Sequence, residues 1–358
     1  MPIASAAADC RFGAHPEHQY LDLMRHVWSA GSERLDRTGI GTRSVMGAML
    51  RFDLADGAMP LLTTKRVYWK TATRELLWFL TGETNIRPLV LQGVKIWNEW
   101  PHTRYVRETG EALALADFVA RIAGDADFAA RWGDLGPVYG KQWVDWPTYR
   151  PLGNGLFERG PGINQIAEVV RSLRENPGSR RHIIEGWNVA ELEAMALPPC
   201  HKTYQFHVAD GGLSCVLYQR SCDVALGLPF NLWSAALLTR MLAQQTDLDP
   251  GELVWMGGDT HLYLNHAHLI EEQLARAPRG LPRLEILRPL MGVAVETTAA
   301  VAAPPATERV GNRVGYPEAF QRGTVDDRRV SPESAQQHRP VGSNGIERVA
   351  REHRPAAH

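Results

Sequence analysis

The stretch between His201 and Gln219 constrains the fold more than any other part of the chain. Two runs that alternate apolar and polar residues, 201–208 and 213–219, are separated by Ala209-Asp210-Gly211-Gly212. A short glycine-containing connection between alternating runs is typical of a β-hairpin. Helices and strands interleave irregularly around it, so the sequence predicts an α+β fold with an antiparallel hairpin rather than a doubly wound α/β fold.

Other segments predict the elements around this hairpin. Apolar residues recur at helical spacing in 20–28, 69–80, 115–131, 164–175 and 230–245. Pro229 stands where the first turn of a helix tolerates proline. Segments 50–54 and 181–188 are predicted strands.

The chain divides into three parts of different composition. Residues 1–18 are small and polar without periodicity, and we expect a flexible leader. Residues 19–290 carry almost all of the aromatic and aliphatic patterning and form the predicted folded domain. Residues 291–358 are rich in Ala and Pro, then in Arg, Glu, Gln and Ser. This segment has few apolar side chains whose burial could offset the entropy cost of ordering it, so we expect it to be disordered.

Composition excludes several classes of protein. The net charge of -1 gives no general basic field for nucleic acid. The four cysteines, Cys10, Cys200, Cys215 and Cys222, lack the paired spacing of a zinc site. The chain has neither a signal-peptide pattern nor an apolar run of roughly 18 residues, the length of a membrane helix. We expect a reduced, cytoplasmic protein with no membrane or nucleic-acid partner.

Cys200 is the first candidate for chemistry, in Leu197-Pro198-Pro199-Cys200-His201. Two prolines fix the approach to this cysteine and place it at a strand edge. A lone cysteine is more often a small buried hydrophobe than a nucleophile. Arg220, one hairpin away, raises the odds, because a nearby guanidinium favours the thiolate.

Arginines form a second candidate set, which could clamp a phosphate dianion. Arg37 lies in a glycine-rich loop, Arg180 and Arg181 open a predicted strand, and Arg220 follows the hairpin. Each alone reads as a solvated surface charge, and the sequence does not show that they converge.

Polar residues in two further motifs have two readings each. Asn231, in Gly227-Leu228-Pro229-Phe230-Asn231, is either a helix cap or an amide that reads the edge of a base. His261 and Tyr263 alternate onto one face, where a structural histidine is the simpler interpretation.

The motifs in this order resemble the thymidylate synthase family over residues 19 to about 290. The strings that carry the resemblance are Asp36-Arg37-Thr38-Gly39, Glu75-Leu76-Leu77-Trp78-Phe79-Leu80, Ile96-Trp97, Gly133-Asp134-Leu135-Gly136-Pro137-Val138-Tyr139-Gly140, Ser179-Arg180-Arg181, Pro198-Pro199-Cys200-His201, Tyr218-Gln219-Arg220-Ser221-Cys222-Asp223, Leu228-Pro229-Phe230-Asn231 and Gly258-Asp259-Thr260-His261-Leu262-Tyr263. Nine strings in register make the resemblance specific. It implies a large twisted mixed sheet, mostly antiparallel and packed with helices, with one sheet face forming a homodimer interface.

The resemblance also implies a reaction, the reductive methylation of deoxyuridine monophosphate (dUMP) to dTMP. Cys200 would add to C6 of the pyrimidine and make C5 nucleophilic, which is covalent catalysis. Glu75 would manage protons through water, and Tyr139 would belong to the network that removes the C5 proton. Arg220 and Asp223 complete the implied catalytic set.

The implied dUMP site draws on both subunits of a homodimer. Arg180 and Arg181 would reach the phosphate of the partner's site, Asn231 would read uracil, and His261 and Tyr263 would bind the 3′-hydroxyl. The implied nucleotide contacts are Arg37, Arg180, Arg181, Arg220, Ser221, Cys222, Asp223, Asn231, His261, Leu262 and Tyr263.

The implied co-substrate is 5,10-methylenetetrahydrofolate, which would supply carbon and hydride and leave dihydrofolate, without a metal. Its implied contacts are Lys65, Tyr68, Trp97, Leu197, Asp223, Leu226 and Gly227. Lys65 would lie near the glutamate tail of the folate.

The chain departs from the family pattern most clearly after residue 290. Members of the family continue into a Tyr-x-Pro-His-Pro motif and a short apolar end that closes over the folate, and residues 291–358 show neither. Tyr68 also stands where many members have a histidine. These departures leave two alternatives, a dUMP 5-hydroxymethylase of the same superfamily and a nucleotide-binding homologue with impaired turnover.

Overall fold

The computed structural model describes residues 15–35 and 39–286. Its α-helices are α1 (Glu17–Ala30), α2 (Trp69–Leu80), α3 (Arg87–Leu91), α4 (Glu99–Thr109), α5 (Leu115–Gly124), α6 (Ala126–Trp132), α7 (Tyr139–Val144), α8 (Gln165–Glu175), α9 (Leu228–Gln245) and α10 (Ala267–Leu274). Its strands are β1 (Ser32–Arg34), β2 (Thr42–Asp53), β3 (Tyr149–Gly153), β4 (Leu156–Arg159), β5 (Ile183–Glu185), β6 (His201–Ala209), β7 (Gly212–Asp223) and β8 (Asp249–Tyr263).

Six strands form the main sheet in the order β1-β2-β8-β7-β6-β5, and β3 pairs with β4 in a separate hairpin. The neighbours in the main sheet are antiparallel except for β7 and β8, which run parallel. A parallel pair needs a long crossover connection, and α9 provides it. The predicted α+β class with a mixed, mostly antiparallel sheet is confirmed.

Helix α9 connects the sheet to the layer of helices beside it. It packs against α2 on one side and against β7 and β8 on another, and most of its residues are buried. It begins at Leu228, two residues before the predicted start, because Pro229 fits the first turn of a helix. This helix therefore fixes Asn231 in its first turn against the sheet.

Three predictions of local structure need correction. The predicted helix 115–131 is two helices, because the Asp125 carboxylate caps a new start by accepting from the Phe128 amide at 2.9 Å. The predicted strand 181–188 is paired only over Ile183–Glu185. The 15-residue strand β8 was not predicted as a strand, since Asp249-Pro250-Gly251 and Gly257-Gly258 are typical of turns.

One face of the main sheet carries exposed apolar side chains, while α1 and α9 pack against the sheet. Met49 lies directly beside Met256, and Met256 beside Tyr218. These three side chains therefore project from the same face. Met49 is 54% exposed and Met256 is 41% exposed. Exposed apolar rows of this kind are typical of protein interfaces.

In the described part of the chain, no helix has both the length and the apolar character needed to cross a bilayer. The predicted tail 291–358, most of the predicted leader and Arg37 lie outside the described residues.

Candidate active site

Cys200 lies half-buried immediately before β6. Hydrogen bonds from Arg220 on β7 to two main-chain carbonyls hold the loop that contains Cys200. The Arg220 guanidinium donates from Nε to the Pro199 carbonyl at 2.8 Å and from Nη2 to the Pro198 carbonyl at 2.7 Å. The Arg220 amide donates to the Cys200 carbonyl at 2.9 Å. The cation thus anchors the diproline segment next to the thiol, where positive charge favours a thiolate.

Tyr139 holds the other side of Cys200. Its hydroxyl oxygen accepts a hydrogen bond of 2.6 Å from the Cys200 amide, and its ring packs 4.8 Å from that of Phe79 on α2. Burial raises the pKa of Tyr139 well above its ordinary value, and the nearby Cys200 charge adds to this. The phenol is therefore neutral at physiological pH, and its O–H remains a donor toward the site.

Glu75 lies on α2 with 8% of its surface exposed. Its Oε1 accepts from the Trp97 indole N–H at 2.7 Å. Burial raises the pKa of Glu75 to about 7, and the Trp97 hydrogen bond opposes this. A carboxyl group with such a pKa can both give and take a proton near neutral pH.

Asn231 presents its amide at the first turn of α9. Its Oδ1 accepts from Gln219 Nε2 at 2.9 Å, which ties it to β7. The neighbouring His201 forms a side-chain hydrogen bond with Asn231, and burial lowers the pKa of His201 to about 4. The Asn231 amide therefore lies beside a neutral His201 imidazole, and neither side chain carries a full charge.

The carboxyl ends of β7 and β8 bring the predicted nucleotide-site residues together. In the parallel register Asp223 lies beside His261, and Ser221 beside Asp259. His261 Nδ1 lies 3.2 Å from Asp259 Oδ1, and its ring lies 5.5 Å from that of Tyr263. Cys222 and Leu262 are also predicted to contact the nucleotide; their side chains are buried in the core, at 1% and 0% exposure, which leaves the main chain for such a contact.

The turn after β7 joins Asp223 to Lys65. Asp223 Oδ1 accepts from the amides of Ala225 at 2.8 Å and Leu226 at 3.2 Å. The Lys65 ammonium donates to the Ala225 carbonyl at 2.6 Å, and burial lowers the pKa of Lys65 while Asp223 opposes this. Lys65 is therefore directed into the turn, which also contains Gly227.

Arg180 and Arg181 lie apart from the thiol within one chain. Both are exposed, and the Gln205 side chain donates to the Arg180 carbonyl at 3.4 Å. Gln205 lies five residues beyond Cys200 on β6, or about 16 Å at ~3.3 Å per residue. The structure brings Arg220 close to Cys200, but it does not bring Arg180 and Arg181 there.

Comparison with known proteins decides the family to which this arrangement belongs. The family profile described as Thymidylate synthase matches residues 18–298. The chain is 73% identical over 277 residues to a protein named Thymidylate synthase from Novosphingobium aromaticivorans, which covers 77% of this chain and 88% of the relative. The chain belongs to the thymidylate synthase family.

Two further relatives carry the same name. The protein from Sphingopyxis alaskensis is 68% identical over 76% of this chain and 89% of its own length. The protein from Rhizorhabdus wittichii is 64% identical over the same shares of the two chains.

Two exposed apolar side chains of this member of the thymidylate synthase family lie in segments that the hydrogen bond from Lys65 to the Ala225 carbonyl joins. Tyr68, just before α2, is 55% exposed, and Leu226 is 41% exposed. The Arg66 guanidinium lies over the Tyr68 ring at 5.2 Å. Trp97 is buried in the core, and Leu197 is partly buried and packs against the core. The exposure of Tyr68 and Leu226 is the feature that a planar, partly apolar ligand would cover.

Sequence reasoning missed three residues that shape this thymidylate synthase-family site. They are His201, Gln219 and Trp187, and the Trp187 ring lies 5.2 Å from the Arg220 guanidinium. His201 and Gln219 stand inside the motifs around Cys200 and Arg220, so adjacency to a predicted site residue was the available signal. No local pattern marks Trp187, which lies in the segment after β5.

Proposed function

We propose that the chain catalyses the reductive methylation of dUMP to dTMP, with Cys200 as the nucleophile. The observation that carries the proposal is the main chain around Cys200, which is held by the Arg220 guanidinium on one side and by the neutral Tyr139 phenol on the other. Relatives at 64% to 73% identity named thymidylate synthase favour methylation over the hydroxymethylase alternative.

The chemistry of uracil explains why the reaction needs this thiol. C5 of uracil is a poor nucleophile until a thiolate adds at C6 and sends electron density to C5 and O4. Arg220 favours the thiolate, and its loop contacts limit the positions that Sγ can take. The Nη1 end of the same guanidinium can donate to a phosphate oxygen, which Arg suits through its planar fork.

Glu75 and Tyr139 are proposed to handle protons at the base. A Glu75 carboxyl with a pKa near 7 can protonate O4 through water as Sγ adds to C6 and recover the proton when the bond breaks. Tyr139 lies against Cys200 and near Glu75, in a position to order the water that removes the C5 proton.

Base recognition is assigned to Asn231, and sugar recognition to His261 and Tyr263. The Asn231 amide can donate to uracil O4 and accept from N3–H. The neutral His201 beside it adds no charge that would favour another base. His261, held by Asp259, and Tyr263 project from one face toward the deoxyribose 3′-hydroxyl.

The residues beside the thiol fit methylenetetrahydrofolate as the co-substrate. Tyr68 and Leu226 offer exposed apolar surface that an aromatic ring system would cover, while Trp97 lies in the core and Leu197 packs against the core. Asp223 and Gly227 form the adjoining turn, with Lys65 pinned beneath it. When bound, the folate would supply the one-carbon unit and the hydride.

We assign the active form to a homodimer in which Arg180 and Arg181 bind the phosphate in the partner's site. Two observations support this. The Arg180 carbonyl is bound by Gln205, which lies about 16 Å along β6 from Cys200 at ~3.3 Å per residue, and the main sheet carries exposed methionines. A second copy would cover that apolar face.

The division into a leader 1–18, a catalytic domain 19–290 and a tail 291–358 remains a prediction. A chain ending at residue 290 would test whether the tail is dispensable for folding and contributes only to turnover.

Replacement of Cys200 tests the proposed function directly. Cys200→Ala should abolish both release of tritium from C5-labelled dUMP and formation of dTMP, while dUMP binding persists through the phosphate contacts. Cys215→Ala is the matched control, because Cys215 is fully buried in β7 away from the loop. Substantial turnover in Cys200→Ala would show that another group is the nucleophile.

A further inference from the structure

A buried chain of hydrogen bonds runs from the sheet to the Asn231 amide. The Trp255 indole N–H on β8 donates to Gln219 Oε1 at 2.9 Å. Gln219 Nε2 donates to Asn231 Oδ1 at 2.9 Å and to the Ser221 carbonyl at 3.1 Å. Trp255 is fully buried and Gln219 is 2% exposed, so water does not replace these bonds.

The two outer partners of Gln219 allow its amide only one orientation. The indole N–H can only donate, and a main-chain carbonyl can only accept. Turning the Gln219 amide over would set Nε2 against the Trp255 N–H and Oε1 against the Ser221 carbonyl. Both bonds would be lost in a buried place, where unmatched polar groups are costly.

The fixed Gln219 amide in turn fixes Asn231. Because Gln219 presents N–H groups, Asn231 must present Oδ1 to it, and its Nδ2 is then directed away from Gln219. An amide has nearly the same shape in either orientation, so shape alone would not select one. The selection comes from the donor at Trp255 and the acceptor at Ser221.

We infer that Trp255 and the Ser221 carbonyl, acting through Gln219, determine which pyrimidine the site accepts. The inference rests on the proposed function, since it concerns the base that Asn231 reads. In the fixed orientation Nδ2 donates to O4 of uracil, and Oδ1 has a second lone pair for N3–H.

Cytosine needs the opposite orientation of Asn231. It presents an amino donor at C4 and a bare acceptor at N3, which match Oδ1 and Nδ2 in exchanged places. That exchange would require Gln219 to turn as well, against both of its anchors. Trp255 and Gln219 are thus positioning residues for base selection that touch no substrate themselves.

The test compares kcat/KM for dUMP with kcat/KM for dCMP in variants of the full chain. Gln219→Met removes the amide and keeps a similar volume. The remaining side-chain partner of Asn231 is the neutral His201, which can donate or accept according to its tautomer, so the Asn231 amide can adopt either orientation. The preference for dUMP should fall about tenfold or more. Trp255→Phe leaves the Ser221 anchor in place and should produce a smaller fall.

Trp233→Phe is the matched control. Trp233 is a buried tryptophan on α9 whose indole donates to Thr73 Oγ1 at 2.9 Å. It takes no part in the chain of hydrogen bonds from Trp255 to Asn231. Its dUMP preference should equal that of the unaltered chain. A purely structural role for Gln219 and Trp255 would lower kcat/KM for both nucleotides by the same factor.

An unchanged preference in both Gln219→Met and Trp255→Phe would overturn the inference. If Gln219→Met does not fold, the preference of Trp255→Phe decides by itself. Dissociation constants for dUMP and dCMP, measured calorimetrically on the same proteins, separate this outcome from failure of the proposed function. Absence of dUMP turnover in the unaltered chain would refute the proposed function. The binding preference for dUMP over dCMP would still test whether the hydrogen bonds from Trp255 through Gln219 orient Asn231.

Discussion

Replacing Glu75 by Gln should stabilise the protein at alkaline pH while it impairs catalysis. The buried Glu75 carboxyl has a pKa of about 7, against an ordinary 4.5. The folded state therefore binds more protons than the unfolded state between these values, and stability falls as pH rises through this window. A difference of about 2.5 pH units, at ~1.4 kcal/mol each, corresponds to about 3.5 kcal/mol above pH 7.

Glutamine has no ionisation cost, and its Oε1 can still accept from the Trp97 indole. The unfolding free energies of Glu75→Gln and of the unaltered chain should agree near pH 4.5 and diverge toward pH 7. The variant should then be more stable by up to about 3.5 kcal/mol, or several degrees in Tm. Tritium release from C5 should fall sharply, since the variant has no proton to transfer.

Thermal unfolding in matched buffers from about pH 4.5 to 8.5, followed by intrinsic fluorescence, measures this divergence. Glu83→Gln, at an exposed position in the loop after α2, controls for the change of residue type. Equal pH dependence in Glu75→Gln and the unaltered chain would refute the assignment of a buried, raised-pKa carboxyl at this position.

Two further predictions concern the dimer and the base. Mixing Arg180→Ala with Cys200→Ala protein should restore activity that each variant lacks alone, because a mixed dimer keeps one site with both an intact Cys200 and an intact Arg180. If no activity is recovered after proven subunit exchange, the arginines belong to the site of their own chain. Asn231→Asp should reduce the preference for dUMP over dCMP roughly tenfold. A carboxylate accepts from the cytosine amino group, and leaving a buried donor or acceptor unmatched costs about 1–3 kcal/mol. An equal preference before and after the change, measured as relative kcat/KM, would show that Asn231 does not recognise the base.

Local patterns predicted the elements whose stability depends on nearby residues. Helix α2 spans the predicted 69–80, and the hairpin of β6 and β7 turns at Asp210-Gly211 as expected. Strand β8 depends on pairing with β2 and β7, far away in sequence, so its internal glycines were misleading. The break at Asp125 turned on a single capping carboxylate within one continuous amphipathic pattern.

The candidate site shows the same division between local and long-range information. Motif order indicated Cys200, Arg220 and Asn231, but not that Arg220 would bind the two proline carbonyls. The roles of Gln219 and Trp255 depend on which atoms of three side chains meet across β7, β8 and α9. Only the three-dimensional structure shows which of these side-chain atoms donate hydrogen bonds and which accept them.

The most direct test of the central claim is the stoichiometry of the reaction catalysed by the full-length chain. With dUMP labelled at C5 and methylenetetrahydrofolate, we expect each tritium released to be matched by one dihydrofolate, followed by absorbance, and by one dTMP identified by mass. Tritium release without dihydrofolate, or a product with the mass of the 5-hydroxymethyl nucleotide, would contradict reductive methylation. It would instead favour one of the two alternatives raised by the unusual sequence after residue 290.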